Sequence, residues 1–358
     1  MVWNVYDIFN AFIALLLMLY MSFKYDISNK VLALLLLHYI LVCVIDVIFD
    51  YNYWPDQFTY LHTVQKFRDF FLPKDSLTVV SAGFIFSLFP LFLQSVKSLA
   101  FVNYILYVLV YIFILTKFKT NYGQRLFKIV YLLYPSLILF TSLGLRDFLI
   151  STFMITSLYY LIIKKFFFKS QIYNIVLLFI KPQNFLLILL CGSFLWIISI
   201  KNNVSKFVLF ILFMIFVVFI AVKNYDLLLH YRIAMFLEDT GMTVYDMPQW
   251  SIQDIYRVLL APFFFDARNA MQLIQSFENL ILAIFIIKIL KLANKLKVNY
   301  INFLTINFFA ITSSLIYSFA VFNYGTLTRY KFPCLFSWVI IILLLIDESI
   351  ALNERINY

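Results

Sequence analysis

Apolar runs close to 20 residues long recur along the chain, separated by short charged breaks, and that spacing leaves few folds open. The runs lie at about 5–23, 31–49, 99–116, 127–143, 148–163, 207–222, 271–289, 300–321 and 332–346. Roughly 20 apolar residues make a helix that spans the hydrocarbon core of a bilayer, whereas a barrel strand needs about 10 of alternating polarity. The runs are uniformly apolar, so spanning helices are expected and a barrel is excluded. Charged residues make up 13% of the chain, about half the share usual in a soluble domain. With 43 Phe and only 6 Gly, the helices should meet across wide contacts filled by aromatic rings. The opening MVWNVYD has no basic stretch and the first run has no small-residue exit, so no cleavable leader is expected.

A net charge of +10 suits nucleic-acid binding until the bases are placed. They fall in the breaks between runs, which is the asymmetry that orients membrane proteins with basic loops inside. The breaks KFKTNYGQRLFK (117–128), KKFFFK (164–169), KNNVSK (201–206) and KILKLANKLK (288–297) are therefore expected at the cytoplasmic side, with no nucleic-acid partner. Segments 50–75 and 223–270 hold most of the acids and belong outside. Cys43, Cys191 and Cys334 lie in apolar runs at scattered spacing, which predicts buried thiols and neither a disulfide framework nor a metal site.

This charge map settles two ambiguous stretches. Only one crossing fits between residue 75 and residue 117, so 76–94 reads as an external or re-entrant helix. Residues 172–199 have basic flanks on both sides, and 28 residues are too few for two spans of about 20. A pair of half-helices meeting at KPQN (181–184) fits, with Pro182 breaking the helix and Lys181 facing a wet cavity. The expected fold is an all-α polytopic membrane protein of about nine full transmembrane helices plus these two irregular pieces. Residues 1–358 read as a single integral membrane domain, with outer loops 50–97 and 223–270 forming the active-site face.

The polar residues gather on that face. They are Asp56 in WPDQFTY, Arg146 and Asp147 at the end of PSLILFTSLGLRD, Lys181 and Gln183, Arg257 in the long loop, and Arg329 and Lys331 in NYGTLTRYK (323–331), expected as a short outer loop before the last run. Ionised groups near a bilayer are costly, so several on one face predict a polar cavity. Cations suit a diphosphate, which Arg binds through paired N–H donors. A lone carboxylate, Asp56, suits removal of a proton from an acceptor hydroxyl. Tyr51, Tyr53, Trp54 and Tyr60 offer flat faces to sugars, with His62 close by on the same helix. Each residue also has a plainer role: Asp56 as a helix cap, Arg146–Asp147 as an interfacial ion pair, Arg329–Tyr330–Lys331 as an interface anchor, His38 as a helix contact.

In order along the chain, PDQFTY, then Pro135, Ser136, Ser142, Arg146 and Asp147, then KPQ, then APFFF with Pro262 and Glu278, then GTLTRYK with Gly325, Thr326, Arg329 and Lys331, resemble the O-antigen polymerases (Wzy-like). Those proteins are in turn similar to the GT-C membrane glycosyltransferases. Two features depart from the pattern: Lys181-Pro182-Gln183 stands where such proteins often carry Arg-Pro-His, and the acidic residue follows the second apolar run where the GT-C pattern has it after the first.

The resemblance implies a GT-C-like fold in a bacterial inner membrane, with its active face periplasmic. It implies polymerisation of undecaprenyl-diphosphate-linked oligosaccharide repeat units, using no metal and no cofactor. Membrane lipids and a chain-length regulator protein are the further partners it implies. Asp56, Arg146, Asp147 and Arg329 would be catalytic, and Lys181, Gln183, Arg257, Lys331, Tyr60 and His62 would bind substrate. Three other functions remain open at this point: a GT-C transferase that adds one sugar from a polyprenyl-phosphate donor, a flippase for lipid-linked oligosaccharide, and a non-enzymatic assembly or immunity membrane protein.

Overall fold

Helix α1 (Val5–Lys24) turns the usual amphipathic pattern inside out. Its buried stripe holds Asp7, Asn10, Ala11, Ala14, Met18 and Ser22, while Ile8, Phe9, Phe12, Leu16 and Phe23 face outward. In water that arrangement would be unstable; against lipid tails it is the favourable one, because only the polar and small groups need protein partners. Helix α2 (Asn29–Ile48) repeats it, burying His38 and exposing Leu37, Ile40 and Val47.

The computed structural model describes residues 3–49, 54–223, 225–241, 243, 247, 251, 253–265, 267, 270–321 and 324–356. Tyr51, Tyr53 and most of the stretch 242–252 lie outside them. Among the described residues the only regular secondary structure is helix, with no strand. Six helices are long and apolar enough to cross a membrane: α1, α2, α5 (Val96–Leu115), α14 (Ala270–Lys295), α15 (Tyr300–Ala320) and α16 (Tyr324–Ile356). The remaining elements are α3 (Asp56–Arg68), α4 (Leu77–Ser87), α6 (Asn121–Leu133), α7 (Pro135–Thr141) and α8 (Asp147–Leu158), which runs on into a π-helical turn at Tyr159–Ile163. After these come α9 (Phe167–Ile180), α10 (Pro182–Ile198), α11 (Asn203–Lys223), α12 (Tyr225–Thr240) and α13 (Gln253–Leu260). The fold is that of a polytopic helical membrane protein.

Several boundaries follow from single residues. Pro135 lacks an N–H and splits the apolar run 127–143 into α6 and α7. Pro182 does the same between α9 and α10, at the position the sequence marks for a break. The stretch 76–94 contains only the 11-residue α4, roughly 16 Å of helix and too short to cross a bilayer. Residues 324–331, expected as an outer loop, are instead the first turns of α16. The helix runs through Gly325 and Pro333 although glycine is a poor helix former and the proline both removes the ladder bond to the Arg329 carbonyl and crowds that carbonyl. Likewise the 223–270 segment carries α12 and α13.

The chain divides into two compact units: 1–154 with 172–184 and 350–358, and 155–171 with 185–349. In the first, α5 is the central helix and buries Tyr104, Tyr107 and Tyr111 completely or almost so. The hydroxyl of Tyr131 donates to the Tyr107 carbonyl at 2.8 Å, and that of Tyr104 donates to the Leu35 carbonyl at 2.9 Å. Large rings thus fill the helix contacts while their polar tips find backbone partners. The side-chain amide of Asn10 pairs both ways with the backbone of Phe92, at 2.8 and 2.9 Å, fastening the turn after α4 to α1. Arg68 donates to the carbonyls of Ser87, Phe89 and Leu91, placing a cation at the C-terminal end of α4, where the helix dipole favours it.

Helices α3 and α4 touch at one close point. A Cβ on Gly83 would lie 2.4 Å from Cγ2 and 2.8 Å from Cβ of the buried Thr63. Gly83→Ala should therefore destabilise the protein by ~1–3 kcal/mol, the usual penalty for overpacking. A lowered midpoint in thermal loss of the monodisperse gel-filtration peak would show it, and Thr63→Ala in the same chain should recover only part of the loss, because it removes the Cγ2 contact and leaves the one at Cβ.

Candidate active site

The turn 142–146, between α7 and α8, is held from three sides within the first unit. Gln57, fully buried in the first turn of α3, accepts the Gly144 N–H on Oε1 at 2.8 Å. Asn103 of α5 donates from one amide nitrogen to the carbonyls of Leu143 and Leu145, at 2.6 and 2.7 Å. His38 of α2 sets its Nε2 3.1 Å from the hydroxyls of both Thr141 and Ser142. Gly144 permits this closeness: a Cβ there would come within 2.9 Å of the Leu99 Cβ and 3.2 Å of the Val96 carbonyl oxygen. The turn is a fixed platform, and its next residue is Arg146.

Arg146 reaches from the platform to α3. Its guanidinium carbon lies 5.6 Å from the centroid of the Tyr60 ring, a cation–π distance. Its Nη1 is buried and finds no hydrogen-bond partner among the described residues. A buried guanidinium N–H is destabilising until something accepts from it, and an anionic oxygen is the acceptor it suits best. Asp147, directly after it, is buried as the first residue of α8.

Asp56 opens α3, one helical turn before Tyr60. Pro55 occupies the N-cap position and makes no side-chain cap bond, so Asp56 is the first helical residue and not the cap. The residue is half-buried and already has an interaction partner. Tyr60 is 1% exposed, so its ring supports Arg146 instead of offering a sugar a face. His62 is exposed in the middle of α3. Trp54 is buried edge-on against Phe49, with ring centroids 5.9 Å apart.

Lys181 and Gln183 belong to the same unit, at the break between α9 and α10. Lys181 is buried and Gln183 has a buried Oε1 with no partner among the described residues. Asn184, next in line, donates to the Met154 sulfur at 3.1 Å. Met154 stands seven residues along α8 from Asp147, which is roughly 10 Å of helix.

The other predicted residues lie in the second unit. Lys331 is buried and donates to the Ala261 carbonyl at 3.1 Å and to Asn279 Oδ1 at 2.8 Å. Asn279 in turn donates to the carbonyls of Leu260 and Ala261 at 3.1 and 2.8 Å, and Glu278 supplies the negative charge beside Lys331. Lys331 thereby pins the turn after α13. Arg257 is exposed and 3.5 Å from Asp254, one turn earlier on α13. Arg329 is half-buried on α16 and has partners of its own.

Sequence reasoning missed Gln57, Asn103 and Gly144 as positioning residues. Their signal was present: an amide, or a glycine in a glycine-poor chain, inside an apolar setting. It missed Arg232 too, which is buried on α12 and donates to the Phe319 carbonyl in the second unit. Among the described residues no three His, Cys, Asp or Glu side chains group closely enough to hold a metal ion. No protein-family profile, curated protein or solved structure matches this chain.

Proposed function

We propose that this protein is a GT-C-like glycosyltransferase of a bacterial inner membrane, with about nine spans, that polymerises undecaprenyl-diphosphate-linked oligosaccharide on the periplasmic face. The observation that carries the proposal is the Gln57–Gly144 bond, which ties the start of α3 to the platform bearing Arg146. It sets a carboxylate and a guanidinium with an uncommitted buried nitrogen in adjoining turns. A base and a phosphate-binding cation are what the transfer needs.

In the reaction, the acceptor hydroxyl gives its proton to the Asp56 carboxylate. Its oxygen bonds to the anomeric carbon of the donor chain, and the bond from that carbon to undecaprenyl diphosphate breaks. Negative charge grows on the departing diphosphate, where the Nη1 donor of Arg146 meets it. Tyr60 holds Arg146 in place, and Lys181 adds a second cation in the same unit.

Purified protein supplied with lipid-linked repeat unit should build a ladder of products, unchanged by a metal chelator. Arg146→Gln should slow it about 10²–10³-fold, the usual loss for one donor to a developing anion, with an unaltered gel-filtration profile. Single additions without a ladder would instead mark a single-sugar transferase. Passage of the lipid across a vesicle bilayer with no new glycosidic bond would mark a flippase.

A further inference from the structure

A cavity of about 610 Å³ opens in the second unit, away from the groups considered so far, and is lined by Lys165, Phe167, Gly192, Trp196, Asn299 and Asn302 among others. That volume is typical of a ligand pocket. Three features fix the chemistry of what it would hold. First, Asn302 is 5% exposed and its Oδ1 has no hydrogen-bond partner among the described residues, so the wall presents a buried acceptor that needs a donor. Its neighbour Asn299 is already used, accepting the Asn302 backbone N–H at 3.1 Å as the cap of α15.

Second, the walls are basic and free of carboxylates. No Asp or Glu occurs between Asp147 and Asp226, or between Glu278 and Asp347, and those spans contain every lining residue. Lys165 lines the cavity, and its left-handed backbone (φ 56°) turns the chain into α9. Third, the rim is dressed for an interface with lipid. Phe166 and Phe168 are 62% and 81% exposed beside Lys164, Lys165 and Lys169, and Trp196 is 63% exposed. Exposed aromatic rings interleaved with lysines are the signature of the headgroup level of a bilayer.

We propose that this cavity is a binding site for an anionic phospholipid with a hydroxyl-bearing headgroup. The phosphate pairs with Lys165, a headgroup hydroxyl donates to Asn302, and an acyl chain lies against Trp196 and Leu195. The site depends only on the membrane character of the chain and stands or falls independently of the transferase reading. Gly192 keeps the cavity open beside Phe167: a Cβ there would meet the Phe167 ring at 3.1 Å.

Trp196 reports occupancy directly. Phosphatidylglycerol and phosphatidylcholine with brominated acyl chains would be titrated into micelles of the full-length protein. Subtracting the Trp196→Phe variant isolates the Trp196 quenching. The expected result is a preference for phosphatidylglycerol of about fivefold, the size of one lysine–headgroup attraction. Lys165→Gln should bring the ratio to about one, while Lys165→Arg keeps it. Asn302→Leu should remove the preference for phosphatidylglycerol over phosphatidylmethanol, which is anionic but has no headgroup hydroxyl. Equal quenching by the first two lipids in the unaltered protein would overturn the proposal. So would a preference that survives Lys165→Gln, or displacement of the lipid by soluble glycerol phosphate.

Discussion

Asp56→Asn should lower the polymerisation rate by about 10²–10⁴-fold, the range that a positioned general base contributes. In a strain carrying it, the ladder of long surface polysaccharide should collapse to single repeat units on a gel. Asparagine matches aspartate in shape and keeps an oxygen acceptor, but it cannot take a proton from the acceptor hydroxyl. Asp56 sits in the first turn of α3, so the substitution also removes a negative charge that the helix dipole favours. That loss is worth ~0.3–1 kcal/mol of stability.

The two effects separate cleanly. If Asp56 only secures the start of α3, the variant loses at most that small stability and turns over normally per folded molecule. If it is the base, thermal stability stays within about 1 kcal/mol of the parent while turnover collapses. A full ladder from the Asp56→Asn strain would remove Asp56 from the mechanism, and Arg146 would then need a different partner reaction.

Local chemistry made much of the fold legible. Apolar length is a property of consecutive residues, so the runs at about 5–23, 31–49, 99–116, 271–289, 300–321 and 332–346 coincide with the six helices long enough to span. Pro182 announced its break because a missing N–H acts wherever the residue stands. Within the first unit, the closeness of Arg146 to the start of α3 was expected from charge placement, but the means were not. Gln57, Gly144 and Asn103 are far apart in sequence and each reads as unremarkable alone. Their importance is a matter of register, one amide facing one N–H across 87 residues, and no periodicity encodes that. The start of α16 was misjudged for the opposite reason. Polar letters suggested a loop, yet Thr, Arg, Tyr and Lys are all acceptable in helix when their side chains can reach partners.

Lys97→Met should destabilise the protein by ~3–5 kcal/mol, the cost of leaving one half of a buried ion pair behind. Lys97 lies in the first turn of α5, with its side chain 5% exposed, and its ammonium is 3.0 Å from Asp46 Oδ1 and 3.0 Å from the Cys43 carbonyl on α2. The same ammonium stands 4.2 Å from the centroid of the Trp3 ring. A cation at a helix N-terminus opposes the dipole, so Lys97 depends on these partners, and Asp46, 15% exposed, depends on Lys97. Removing the lysine strands a mostly buried carboxylate; removing both charges strands nothing. Asp46→Leu combined with Lys97→Met should accordingly recover most of the loss, and the cycle of single and double variants should show a coupling at least as large as that recovery. Midpoints of thermal unfolding in detergent, followed by gel filtration, give all four corners of the cycle. A double variant no more stable than Lys97→Met alone would mean that the lysine acts through the Trp3 ring and the Cys43 carbonyl, with the ion pair contributing little. Because α5 is the helix from which Asn103 holds the 142–146 turn, the same variants bear on the candidate site. A pair that fixes the start of α5 also fixes the platform of Arg146, so Lys97→Met should lower turnover per folded molecule, and the charge-free double variant should restore it along with stability.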